Sequence, residues 1–265
     1  MASIVSIRTA VADHRPEVDN HLVEPGTPYE MWDGELVYVP PCDAPHGTSQ
    51  ATLASLLSAH VAPGLAVACE LLTRTSRVDD VAPDVSVFPA APHPVTGRRQ
   101  LQHLAFEVVS TQRMVDAGGK AAKLAGRGVR RVFAIDLQRS QVLEWSVAQG
   151  RWEELPVAGH ITDPALAVPL PIAPLLDAAR AEDAVARALI AQGNAVVTSY
   201  RAEGRAEGIA EGKAAALLVV LAARGIAIDA ASRGRILGER DPARLDGWLA
   251  RAAHGRTLAD VLAER

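Results

Sequence analysis

HLAFEVVSTQRMVDAGGK, residues 103–120, decides how the rest of the chain is read. Over 103–110 the residues alternate as in a strand: Leu104, Phe106 and Val108 fall on one face, Ala105, Glu107 and Val109 on the other. Glu107 is therefore a carboxylate set into an otherwise buried strand, which is costly unless something pairs with it. A helix is expected over about 114–127, closed by Gly128 as a C-cap. That helix carries Lys120, four residues after Asp116 and on the same face.

Working outward, VAPDVSVFPA (81–90) reads as a second strand, in which Val85 and Val87 alternate with Asp84 and Ser86. The 89–102 connection lets this strand pair with 103–110. Asp84 and Glu107 brought together in a sheet interior repel each other unless protonated or bridged by a cation. An oxygen-seeking divalent ion such as Mg²⁺ or Mn²⁺ would hold both. The plainer alternative leaves one carboxylate facing solvent at a sheet edge. Lys120, swung back over the carboxylates, would orient the attacking water or stabilise phosphate charge, with Asp116 holding it; alternatively it is a solvated helix lysine.

The remaining elements follow the same logic. YEMWDGELVYVPP (29–41) is expected to hold a helix end or turn at Trp32-Asp33-Gly34, then a strand and a proline stop. Leu53, Leu56, Leu57 and Val61 recur at helical spacing over 46–61. LAVACELLTRTS (65–76) and RRVFAIDL (130–137) read as strands, and QVLEWSV with RWEELPV as a hairpin. Strand, strand, strand, helix, strand indicates a mixed α/β sheet flanked by helices. The expected organisation is a lead-in over 1–24, an α/β domain over 25–178 and an all-α tail over 179–265. Within the tail, Asp241-Pro242 and Thr257 are expected to start helices, and RAEGRAEGIAEGK (201–213) is either a solvated linker helix or a glycine stripe for close helix packing.

The chain has 265 residues, and its net charge of −4 argues, weakly, against a generic nucleic-acid binder. The average conceals an asymmetry. Residues 1–91 carry four arginines against twelve carboxylates, net −8, whereas 92–139 carry nine Lys/Arg against three, net +6. Arg98, Arg99, Arg113, Lys123 and Arg127 in that basic block are candidate phosphate contacts, or else a solvated face. Two cysteines without metal spacing fit a reducing cytoplasm, and no apolar run is long enough for a bilayer span. GxxxxGK[ST], HExxH, CxxC and GxSxG patterns are absent, and the histidines apart from His46, His60 among them, read as surface or loop residues.

PDVSV (83–87), FEVVS (106–110), Asp116-x-x-x-Lys120 and Gly128-Val129, with YEMWDGELV and His46 upstream, resemble the Uma-two family of restriction endonucleases in the PD-(D/E)XK nuclease superfamily. The resemblance implies a restriction-endonuclease-like fold and a Mg²⁺- or Mn²⁺-dependent endonuclease that hydrolyses DNA and leaves a 5′ phosphate. It implies Asp84 and Glu107 as metal ligands, Lys120 as the water-orienting cation, Glu30 or Glu35 as a further acidic group and His46 as a pocket residue. The superfamily lysine lies two residues after the glutamate, where this chain has Val109; in the family it sits on the following helix, matching Lys120. The chain departs from the family in a loop one residue shorter at Ser110-Thr111-Gln112, and in Leu124 and Phe133 where aromatics and tryptophan are usual. The tail resembles those of Rpn-type nucleases and transposases, and its helices are the expected route to a homo-oligomer. Two other classes stay open: a degenerate nuclease fold acting as a nucleic-acid or protein binding module, and a hydrolase of small phosphate esters.

Overall fold

The computed structural model describes residues 15–263. Its first compact unit is built on two antiparallel or mixed sheets. Strands β1 (Tyr29–Trp32) and β2 (Glu35–Tyr38) form a hairpin through Asp33-Gly34, so the expected turn is preceded by a strand. Helix α1 (Ala44–His60) follows, then β3 (Leu65–Cys69), β4 (Thr73–Arg74), β5 (Asp80–Val81), β6 (Val85–Pro89) and β7 (Leu104–Val109). Helix α2 (Met114–Arg127) leads to β8 (Arg131–Asp136) and the hairpin β9 (Gln141–Ser146) with β10 (Arg151–Glu154). The short pair β11 (His160–Ile161) and β12 (Leu170–Pro171), then α3 (Ala173–Leu176) and α4 (Ala178–Ala191), complete it.

The main sheet has the order β10-β9-β8-β7-β6-β3 and is parallel only between β7 and β8, the two strands that α2 connects. The smaller sheet runs β2-β1-β5-β4. The single strand expected over 65–76 is divided between them: Glu70 takes a left-handed conformation (φ 49°), and the chain leaves β3 to place β4 in the smaller sheet.

Every residue of β7 is buried, and its two faces serve different layers. Leu104, Phe106 and Val108 pack with Leu53, Leu56 and Leu57 of α1 and with Val85, Val87, Phe133 and Ile135. The Phe106 and Phe133 rings stack at 4.8 Å. On the opposite face Ala105 and Val109 lie in the clusters that take in Ala117, Ala121 and Leu124 of α2. Gly128 closes α2 with φ 118°, a conformation glycine adopts without a Cβ penalty. His60 is a correction to the surface reading: it is buried at the end of α1, its Nδ1 2.7 Å from the Leu56 carbonyl.

The expected lead-in over 1–24 falls partly outside the described residues, which exclude 1–14. From Arg15 onward it is tied down: Val18 and Val23 are buried, and the Val18 carbonyl accepts from Arg74 N at 2.9 Å and from Arg99 at 3.1 Å. At the other end the first unit closes at Gln192, beyond residue 178, because α4 buries Ala181, Ala184 and Ala188 and packs on α1.

The second unit, from Gly193, is all helical: α5 (Ala195–Ala223), α6 (Ala230–Gly238), α7 (Pro242–Ala252) and α8 (Leu258–Leu262). Its core gathers Leu217 and Leu221 with Ile236, Leu245, Trp248 and Val261. Asp241 caps α7, and Thr257 with Asp260 forms a capping box on α8. The Glu-Gly repeat is an exposed helix, as the solvated-helix reading expects, but it lies inside the 29-residue α5 and not between short helices. Residues 198–209 are exposed, and among the described residues nothing lies within 4 Å of where a Cβ would stand on Gly204, Gly208 or Gly212, so the glycines serve no close packing there. Among the described residues no helix is long and apolar enough to cross a membrane.

The doubly packed β7 yields a stability prediction. Phe106→Ala, which empties a fully buried site against Phe133, is expected to cost about 3–5 kcal/mol in urea unfolding.

Candidate active site

The β6–β7 ladder ends with Val85 opposite Phe106, and Asp84 and Glu107 lie just beyond that pair on their two segments. Glu107 alternates with Phe106 and Val108 and so shares with Ala105 and Val109 the face covered by α2. Asp84 is anchored from several sides. Its Oδ2 accepts from Val108 N at 2.6 Å, and its carbonyl accepts from Gln50 Nε2 at 3.0 Å and Glu70 N at 3.1 Å. Its Oδ1 lies 3.2 Å from His46 Nε2. His46 and Gln50 stand one turn apart at the start of α1, whose first turn is fixed by the Asp43 side chain accepting from His46 N.

Glu107 has no exposed surface, and neither of its carboxylate oxygens has a hydrogen-bond partner among the described residues. The cation beside it is Lys120, whose Nζ is 3.4 Å from Glu107 Oε2 and 3.1 Å from Glu30 Oε1, and which donates to the Ala82 carbonyl at 2.9 Å. Glu30 is held in turn: its Oε1 accepts from Ala82 N at 3.0 Å and its Oε2 from the Trp32 indole at 2.6 Å. Burial, with Asp84 and Glu30 adding to it and Lys120 opposing, pushes the Glu107 carboxyl well above the ordinary carboxylate range. Burial alone would lower the Lys120 pKa, but the carboxylates of Glu107, Glu30 and Asp84 outweigh it and raise the ammonium above its usual value.

Two glycines explain how α2 delivers this lysine. A Cβ on Gly118 would stand 3.2 Å from the Trp145 ring, and one on Gly119 would stand 3.0 Å from the Trp32 ring. The helix lies so close to both indoles that only hydrogen fits comfortably, and Lys120 follows directly.

Of the residues singled out from sequence, Asp84, Glu107, Lys120, Glu30 and His46 form one connected group. Glu35 does not join it: it lies exposed on β2. Asp116 does not hold Lys120; it pairs with Arg113 at 3.1 Å on the exposed side of α2. The basic block is largely engaged inside the chain. Arg98 pairs with Asp19 at 3.3 Å, and Arg99 donates to the Val18 and Leu72 carbonyls. Lys123 bridges Asp33 and Asp79 at 2.6 Å each, and Arg127 donates to the Pro16 carbonyl at 2.7 Å. Gln50 and Trp32 were not anticipated. The signal for Gln50 is its i, i+4 spacing from His46 on a face that continues into Leu53 and Leu57.

Asp84 and Lys120 open onto a cleft of about 460 Å³ whose rim includes Glu30, Asp43, His46, Glu70 and Ser110. Lys120 and His46 are its basic side chains. The donor set fits a hard divalent cation: Asp84 and Glu107 offer carboxylate oxygens, and those of Glu107 are buried with Lys120 at 3.4 Å as their neighbour but no hydrogen bond among the described residues. Among the described residues no three His, Cys, Asp or Glu side chains converge as a ready-made metal cage. An ion here would take its other ligands from water and backbone carbonyls.

Residues 16–176 match the family model Uma2, described as "Putative restriction endonuclease". The match stops short of the helical second unit. Among solved structures, a protein from Anabaena variabilis described as a "putative nuclease" is similar, at 19% identity and TM-score 0.47, over 56% of this chain and 89% of that one. No curated protein matches the chain.

Two measurements probe this arrangement. The hydrogen bond to Asp84 raises the His46 pKa, with burial opposing, so its contribution to stability is fully present below about 6.5 and fades as pH rises through the elevated folded value. An NMR titration is expected to show that elevation in the unaltered protein and its loss in Asp84→Asn. Gly126, with open space around it, is expected to gain about 0.5–1 kcal/mol in helix stability on change to Ala, whereas Gly119→Ala meets Trp32 and falls short of that gain in urea unfolding.

Proposed function

The chain belongs to the Uma2 family, and on that premise we propose that it is a metal-dependent endonuclease hydrolysing DNA phosphodiester bonds. The observation that carries this reading is the Asp84–Glu107–Lys120 group, a buried carboxylate with an ammonium 3.4 Å away and a second carboxylate that lines the cleft beside that ammonium. Asp84 and Glu107 would hold Mg²⁺ or Mn²⁺, which supplies Lewis-acid polarisation of the phosphate and a more acidic water when bound.

The chain's own groups have separable tasks. Lys120 is kept charged by Glu30 and Glu107 and fixed by the Ala82 carbonyl, so its ammonium is preorganised to meet charge developing on the phosphoryl oxygens. His46 and Val108 N orient the two oxygens of Asp84. Water attacks phosphorus in line, the bond to the 3′ oxygen breaks, and a 5′ phosphate remains. Because the cleft rim carries Glu70, Asp43 and Asp84, a polyanion enters favourably only with that negative charge offset by a cation.

The same rim favours a second reading. With Lys120 and His46 as the basic cleft residues and the arginines of the basic block engaged elsewhere, a small phosphate ester fits the cleft without the basic groove that duplex binding calls for.

The deciding experiment compares plasmid cleavage with Mg²⁺ or Mn²⁺ by the unaltered protein, Asp84→Ala, Glu107→Ala and Lys120→Ala, alongside RNA and a chromogenic phosphate monoester. The nuclease reading expects nicking that disappears without divalent ion and falls roughly a hundredfold or more in Lys120→Ala. Turnover of the monoester alone would favour the second reading. Nucleic-acid binding without cleavage would identify a binding module. Equal cleavage by all four proteins would sink the assignment.

A further inference from the structure

Three non-glycine residues among the described residues adopt a left-handed backbone: Asp33 (φ 52°), Glu70 (φ 49°) and Ser140 (φ 53°). Asp33 and Ser140 are short polar residues in the turns joining β1 to β2 and β8 to β9, where that conformation is common. Glu70 has a long side chain and lies at the bend where the chain leaves β3 for the other sheet. Glycine would take this conformation without the steric cost of a Cβ, so nothing in the bend itself calls for glutamate.

Its position supplies a reason. Glu70 lines the cleft with Asp84 and Lys120, and its backbone N–H donates to the Asp84 carbonyl at 3.1 Å. Other acids of the cleft are committed: Glu30 to Ala82 N, Trp32 and Lys120, Asp84 to Val108 N and His46, and Asp43 to the first turn of α1. The Glu70 carboxylate is exposed and makes no hydrogen bond or ion pair among the described residues. Lys120, which lines the same cleft, stands 3.4 Å from Glu107, whose two buried oxygens accept no hydrogen bond among the described residues.

With two carboxylates as direct ligands and no third side chain converging, a divalent cation keeps much of its hydration shell, and those waters need acceptors. We propose that Glu70 is that acceptor, a positioning residue that hydrogen-bonds the hydrated cation held by Asp84 and Glu107 without ligating it. The inference rests on the cation reading given above, and its test separates the two.

Mn²⁺ affinity of the full chain, followed by electron paramagnetic resonance, is compared with the thermal midpoint in EDTA. Glu70→Gly is expected to weaken Mn²⁺ binding about tenfold or more. Its metal-free midpoint should hold or rise by up to about 2–4 °C as the left-handed strain is relieved. Glu70→Gln, which keeps the backbone cost but loses the charge, should weaken binding without that rise, and Ser140→Gly should leave Mn²⁺ affinity unchanged. Unaltered affinity in both Glu70 variants overturns the role of Glu70 while leaving Asp84 and Glu107 as ligands. Absence of Mn²⁺ binding by the unaltered chain overturns the cation reading and this inference together.

Discussion

A carboxylate with no exposed surface, on the central strand of a sheet, must be answered by positive charge, and the contact between Glu107 and Lys120 is where this protein meets that demand. The rest of the first unit is arranged so that the contact can form. Strand β7 carries large apolar residues toward α1 and small ones toward α2, which lets α2 lie close over Glu107. Gly118 and Gly119 reduce the helix surface to backbone where it meets Trp145 and Trp32. Glu30 and the Ala82 carbonyl then take the remaining donors of the ammonium. One lysine faces Glu30 and Glu107, with Asp84 adding to the field, and that surplus of negative charge makes the group a candidate for a second cation rather than a closed structural ion pair.

The charge asymmetry along the chain has a structural meaning that differs from its first appearance. Cations from the basic block bind carboxylates or carbonyls that precede them in sequence: Arg98 to Asp19, Arg99 to Val18, Lys123 to Asp33 and Asp79, Arg127 to Pro16. Part of the basic middle third thus pairs with the acidic first third, and the contacts to Pro16, Val18 and Asp19 tie residues 15–24 to the domain, whereas Arg113, Arg130, Arg131 and Arg139 pair with Asp116, Asp163, Glu144 and Asp136. Opposite charges far apart in sequence are as consistent with internal pairing as with a polyanion surface. Composition alone does not distinguish the two.

Much of the architecture was legible because it rests on local rules. Alternation in 103–110 gave β7 with its faces correctly assigned, helical spacing gave α1 and α2, Gly128 marked the end of α2, and Asp241 and Thr257 marked helix starts. Where the reading differed, the cause was tertiary. The strand expected over 65–76 bends at Glu70 because its second part is captured by another sheet. Composition suggested a boundary at 178, but small residues on α4 pack it back onto α1.

The sequence by itself determined the alternation that buries Glu107, the helix that bears Lys120 and the order of the motifs, because these depend on periodicity and on residue type at short range. Only the tertiary structure decided which partners meet. It chose Glu30 over Glu35, gave Asp116 to Arg113 instead of Lys120, and brought His46 and Gln50 to Asp84 from a helix about forty residues away in sequence. Pairing depends on which strand faces and helix surfaces are pressed together. That is settled by burial of the whole core, and no local stretch of residues encodes it.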